Sequence, residues 1–229
     1  MHETHPLLVL DLDGTLADTS RDLLPVLNRV TAKVGLPAIA MKDVGQVVGH
    51  GAKAMISRAF AFHGREADAG LIDTLFDDFL VDYEANIAAH TVLYDGVTQA
   101  LDRFAANGWK LAICTNKLEH LARMLVEELG QSYRFAAITG GDTFDFRKPD
   151  PRHLIETVAM AGGSPAKAVM VGDSVTDIKT AQAAEIPVIA VDFGYSDIPV
   201  LDLAPDRVIS HFNELWQAIA DLPGRHGAR

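Results

Sequence analysis

Apolar residues fall along this chain in two rhythms. Five short runs are apolar on both faces: LLVLD (7–11), KLAIC (110–114), AAIT (136–139), AVMVG (168–172) and PVIAV (187–191). Runs of this kind predict strands of a parallel sheet covered on both sides. Between the later ones, residues 97–107, 118–129, 151–162 and 175–184 repeat at helical spacing. The alternation predicts a doubly wound α/β core. The first two strands are too far apart for one crossover. Residues 18 to about 87 hold three helical stretches, beginning at Ser20, Gly51 and Leu71, and no convincing strand. In the third, Leu71, Leu75, Phe76 and Phe79 form a stripe that predicts packing. We therefore expect a helical insertion domain over 18–87, placed over a core built from 1–17 and 88–229, where it would act as a lid.

The 229 residues suffice for one large domain or a domain with an insertion. A formal net charge of -11 argues against a nucleic-acid surface, which needs a basic face, but leaves a small anionic substrate open. The single cysteine, Cys114, excludes an internal disulfide and a cysteine-based zinc cluster, and its apolar run predicts a core position. The N-terminal MHETHP has no apolar signal region and no run approaches a membrane span, so the cytoplasm is the expected location, without a membrane partner. The C-terminal PGRHGAR reads as a frayed tail.

Candidate chemistry collects just after the strands, where ligands bind in open α/β sheets. Asp11 and Asp13 end the first run and point the same way, because a strand alternates its side chains. Two such carboxylates repel unless a cation or a shared proton intervenes. A solvated turn is the other reading of that stretch alone. Thr115, Asn116 and Lys117 follow the second run, and Asp173, Ser174 and Asp177 the fourth. Carboxylates and hydroxyls from three strands thus meet at one edge, which turn chemistry alone does not explain.

Together, DLDGTLADT, CTN, RKPDP and VGDSVTD resemble the four motifs of the haloacid dehalogenase-like (HAD) superfamily of phosphatases, in the expected order and across essentially the whole chain. With VVGHGAK, YDGV, TGGDTFDFRKPDP and the helical insert, the chain is similar to the phosphoglycolate phosphatase group of that superfamily. The resemblance implies a Rossmann-like core with an inserted α-helical cap and a Mg²⁺-dependent phosphomonoester hydrolase acting through an aspartyl phosphate. It makes Asp11 the nucleophile, Asp13 the general acid and base, and Lys148 the cation bridging nucleophile and phosphate. Thr115 and the Asn116 N–H would bind the phosphate. Asp11 and Asp173 would hold Mg²⁺ by their side chains, Asp13 by its backbone carbonyl, and Asp177 directly or through water. Dehalogenases and phosphonate hydrolases of this superfamily lack the second aspartate, so Asp13 favours phosphate esters.

In the insert, GHGAK (49–53) predicts a helix start able to receive an anion. His50, Gly51, Lys53 and Arg58 are the candidate contacts to the non-phosphate end of the substrate, with a glycine turn and solvated charges as the plainer reading. His63, His90, His153 and His211 lack metal-ligand spacing, and Arg147 reads as solvated surface. The expected substrate is 2-phosphoglycolate. The alternatives are a sugar phosphate or pyrophosphate, a β-phosphoglucomutase-like phosphotransfer, and non-catalytic phospho-ligand binding. The sequence does not set the oligomeric state.

Overall fold

A computed structural model describes residues 5–49 and 51–223. Residues 1–4, His50 and most of the C-terminal PGRHGAR (224–229) lie outside the described residues.

The central sheet has six strands: β1 (Leu7–Leu10), β4 (Lys110–Cys114), β5 (Phe135–Thr139), β6 (Ala168–Gly172), β7 (Val188–Val191) and β8 (Arg207–Ile209). They lie in the order β5-β4-β1-β6-β7-β8, and every neighbouring pair is parallel. Period-two alternation divides each strand between two cores. Leu8, Leu10, Ile113 and Val171 face one side, where they meet helices α4 (Val97–Ala106), α5 (Glu119–Glu128) and α8 (Leu215–Ala220). Leu7, Val9, Cys114 and Met170 face the other, against α6 (Pro151–Met160) and α7 (Val175–Ala183). The sheet is therefore a doubly wound α/β core, as expected. Cys114 is buried in the second of these cores.

Chain order reverses at β1, which lies between β4 and β6. A crevice beyond the strand ends at such a switch point is where ligands bind in open sheets. Between β1 and β4 the chain leaves through a two-residue strand, β2 (Ala17–Asp18), and returns through another, β3 (Val92–Leu93), paired antiparallel. The intervening helices α1 (Ser20–Ala32), α2 (Ala52–Phe62) and α3 (Ala69–Ala85) pack on one another. Leu75 and Phe79 of the stripe are buried there, with Leu71 and Phe76 packed alongside. Among the described residues no helix is long and apolar enough to cross a membrane.

Candidate active site

Strand β1 ends at Leu10, and the Asp11 N–H still bonds to the Val171 carbonyl at 2.9 Å, which fixes Asp11 at the sheet edge. Gly14 then turns the chain with φ +82°, a left-handed conformation that glycine adopts without strain. A Cβ at Gly14 would also stand 2.4 Å from Asp173 Oδ2, so the position needs glycine for space as well.

Asp173 follows β6, and its carboxylate accepts from Thr15 Oγ1 at 3.1 Å and from the Tyr195 N–H at 2.8 Å. Asp177 lies in the first turn of α7, where its Oδ2 accepts from the Ser174 N–H (3.1 Å) and hydroxyl (2.6 Å). Its other oxygen accepts from Lys148 Nζ at 2.6 Å. One oxygen of Asp177 thus caps the start of α7 while the other meets the buried lysine.

Lys148 comes from the loop before α6, and its ammonium also donates to Asp11 Oδ1 (2.8 Å) and to the Cys114 carbonyl (2.7 Å). The Asn116 side-chain amide holds the Lys148 carbonyl at 3.0 Å, and His153 Nδ1 accepts from the Lys148 N–H at 3.2 Å. Both ends of this lysine are thus fixed before any ligand arrives.

Asp11, Asp173 and Asp177 are buried, and a carboxylate oxygen from each lies within 4.8 Å of the others. One buried lysine cannot neutralise three carboxylates. Burial pushes the Asp11 carboxyl up to about 7 against the pull of Lys148, and neighbouring Asp177 and Asp13 add to the rise. Burial, then Asp177 and Asp11, push Asp173 well above the usual carboxylate range. Burial disfavours the Lys148 charge too, but Asp11 and Asp177 outweigh it and its pKa is raised. A hard cation with oxygen ligands would offset this excess of negative charge, so the donor set fits a divalent metal.

Thr115 sits at the end of β4 with its hydroxyl accepting from the Lys117 N–H at 3.2 Å. That leaves its own proton free to donate. Lys117, named in the sequence only as following that strand, is buried, and its Nζ lies 2.9 and 3.2 Å from the two oxygens of Asp13. It also lies 4.6 Å from the ring centroid of Tyr83 of α3. Burial opposes the Lys117 charge, but Asp13 outweighs it and the pKa is raised. Tyr83 escaped notice because it continues the Leu75 and Phe79 stripe at the same spacing, and only its hydroxyl sets it apart from packing.

These groups surround a cavity of about 380 Å³ between the sheet edge and the inserted helices. Asp11, Asp13, Thr115, Asn116, Lys148 and Asp173 line its core side. Gly51 and Lys53 line it from the start of α2, which opens where GHGAK predicted. Lys53 Nζ pairs with Asp73 at 2.7 Å on the exposed side of that wall. Arg58 does not line the cavity; it pairs with Asp197 of the loop after β7 at 3.1 Å. Arg147 is exposed but lines the cavity as well.

A doubly wound sheet carrying an aspartate pair at its switch point, a buried lysine and further aspartates beyond a later strand defines a class. The chain belongs to the haloacid dehalogenase-like hydrolase family, whose profile matches residues 8–191, and its curated relatives put it among the phosphatases of that family. It is 50% identical over 218 residues to the phosphoglycolate phosphatase of Mesorhizobium japonicum, covering 95% of this chain and 96% of that one. It is 46% identical to the phosphoglycolate phosphatase of Agrobacterium fabrum, over 97% of this chain and 96% of the relative. The crystal structure of a predicted phosphoglycolate phosphatase from Haemophilus somnus superposes with a TM-score of 0.86 at 26% identity, covering 96% of this chain and 100% of that one.

Proposed function

We propose that the protein hydrolyses 2-phosphoglycolate to glycolate and phosphate, with Mg²⁺, through an aspartyl phosphate on Asp11. The observation that carries this reading is the buried Lys148 ammonium, which joins Asp11 to Asp177 at the mouth of the sheet. A free Asp11 oxygen attacks phosphorus while Lys148 holds the other oxygen in place. As the bond from phosphorus to the substrate oxygen breaks, Asp13 gives that oxygen its proton and releases glycolate. Asp13 then takes a proton from water as the water attacks phosphorus, which frees phosphate and restores the Asp11 carboxylate. The Thr115 hydroxyl and the Asn116 N–H hold phosphoryl oxygens through both steps.

Asp11 and Asp173 would hold Mg²⁺ by their side chains, Asp13 by its carbonyl, and Asp177 directly or through water. The ion supplies neutralisation of the phosphoryl charge. On the cap side, the reading keeps Gly51 and Lys53 beside the substrate. His50, outside the described residues, and Arg58, which pairs with Asp197, would contact the non-phosphate end of the substrate as well.

The experiment is a phosphate-release screen over phosphorylated metabolites, with and without Mg²⁺, on wild type and Asp11→Asn. Wild type should release phosphate from 2-phosphoglycolate ahead of sugar phosphates and pyrophosphate, and only with the metal. Asp11→Asn should release none. Undiminished turnover by that variant would end the aspartyl-phosphate mechanism, and a preference for sugar phosphates would end the substrate assignment.

A further inference from the structure

Two buried lysines, Lys148 and Lys117, line the cavity, and the reaction above uses only the first. Lys117 has 4% of its side chain exposed, and Asp13 is its ion-pair partner. Asp13 does not by itself account for so costly a placement, because its own side chain keeps 17% exposure and has access to water. An ammonium offers three donors, and the two oxygens of Asp13 engage at most two. Beside it, with the Lys117 ammonium 4.6 Å from its ring centroid, Tyr83 is wholly buried and lines the same cavity, yet its hydroxyl has no hydrogen-bond partner among the described residues. Burial pushes the Tyr83 hydroxyl up to about 12, so it stays protonated and able to donate. A buried cation and a neighbouring buried hydroxyl without a hydrogen-bond partner, side by side on one cavity, together describe a binding site for an anion.

Its position follows from Asp13. On the reading that Asp13 protonates the leaving oxygen, that oxygen touches the Asp13 carboxyl, and Lys117 stands one hydrogen bond beyond, at 2.9 Å. In a short phospho-acid only one methylene separates the bridging oxygen from the carboxylate carbon. The carboxylate therefore arrives within reach of Lys117, and the α2 start at Gly51, also on the cavity wall, adds the favourable end of a helix dipole. We propose that Lys117 and Tyr83 form the subsite that recognises the carboxylate of the substrate, and that this pair, one group from the core and one from the cap, selects phosphate esters of small 2-hydroxy acids over neutral-tailed esters. The inference deepens the proposed function and rests on it.

The test compares 2-phosphoglycolate with 2-hydroxyethyl phosphate, which replaces the carboxylate with a neutral CH₂OH and still needs an acid at its leaving oxygen. The quantity read is the ratio of kcat/KM for the two. Tyr83→Phe removes only the hydroxyl and should lower that ratio about tenfold, mainly through the KM for phosphoglycolate. Lys117→Met should lower it further, by about 30-fold or more, and Lys117→Arg should restore part of it. If both variants lose activity on the two esters equally, Lys117 serves only to position Asp13, Tyr83 only packs, and the inference is overturned while the phosphoglycolate reading stands. A wild type that cleaves 2-hydroxyethyl phosphate but not phosphoglycolate overturns the substrate reading and this subsite with it.

Discussion

Asp11 and Asp177 share one lysine and Asp173 lies within 4.8 Å of both, so the site holds more negative charge than it neutralises in the metal-free protein. That imbalance has a stability cost with a definite sign. Burial raises the folded pKa of Asp11 to about 7, above its ordinary 3.8. The penalty is therefore absent below about pH 4 and grows as pH rises toward 7. Asp11→Asn, which removes one of the three charges and leaves Lys148 paired with Asp177, should stabilise the metal-free protein at pH 7.5 by about 1–3 kcal/mol. Thermal melts from pH 4 to 8 should show the gap over wild type opening with pH. A variant no more stable than wild type at pH 7.5 would mean that the carboxylates are relieved in some other way. Asp11, Asp13 and Asp173 could be singled out in the sequence because each stands just past an apolar strand, where chain pattern alone predicts placement at the ligand-binding edge. Lys148 was legible through its motif and by Pro149 after it, which disfavours helix. Lys117 and Tyr83 were not, because their chemistry exists only between them. A lysine after a strand and a tyrosine on an apolar stripe each have a plainer reading until a cavity brings them together.

At the scale of elements, the junction between sheet and inserted helices depends on very little regular structure. The β2–β3 ladder pairs Ala17 with Leu93 and Asp18 with Val92, and Asp22 reinforces it from the first turn of α1. The Asp22 carboxylate accepts from the N–H groups of His90 (2.9 Å) and Thr91 (2.8 Å) and from the Thr91 hydroxyl (2.8 Å). Burial raises the Asp22 pKa, but these donors outweigh it and hold the carboxyl below its ordinary 3.8. Its contribution is therefore fully present above about pH 4 and is lost as pH falls through the lower folded value. Asp22→Ala strands donors of two residues and should cost about 2–3 kcal/mol at pH 7. Urea titrations should show that deficit holding from pH 8 to 5 and shrinking below pH 4. A deficit unchanged at pH 3 would assign Asp22 a packing role instead. Four-to-five-residue apolar runs made the main strands legible. The two-residue ladder, the three-residue β8 and the six-residue α8 were missed, because segments that short carry no measurable period and are defined by their partners.

Across the whole molecule, net charge and local charge act in the same direction. The chain carries -11 overall, and on the cavity floor Asp11, Asp13 and Asp173 outnumber Lys148 and Lys117, so an anion is drawn in once a cation has joined the carboxylates. The inserted helices also meet the core where Arg58 of α2 pairs with Asp197 at 3.1 Å. The pair is partly open to water, with side-chain exposures of 30% and 35%, so it is worth about 0.2–1 kcal/mol and is weakened by salt. A contact of that kind biases the cap toward the core whatever the substrate carries, whereas a direct contact to the substrate discriminates between tails. Arg58→Gln should therefore raise KM for 2-phosphoglycolate and for p-nitrophenyl phosphate by the same factor, about 1.5- to 5-fold. Wild type in 0.5 M salt should move in the same direction, and the variant should respond less to salt than wild type does. If Arg58→Gln instead raises KM for phosphoglycolate alone, with salt dependence unchanged, Arg58 reaches the substrate carboxylate when the cap closes. The ion pair to Asp197 would then belong only to the open form, and the carboxylate would be shared between Arg58 and the Lys117–Tyr83 pair.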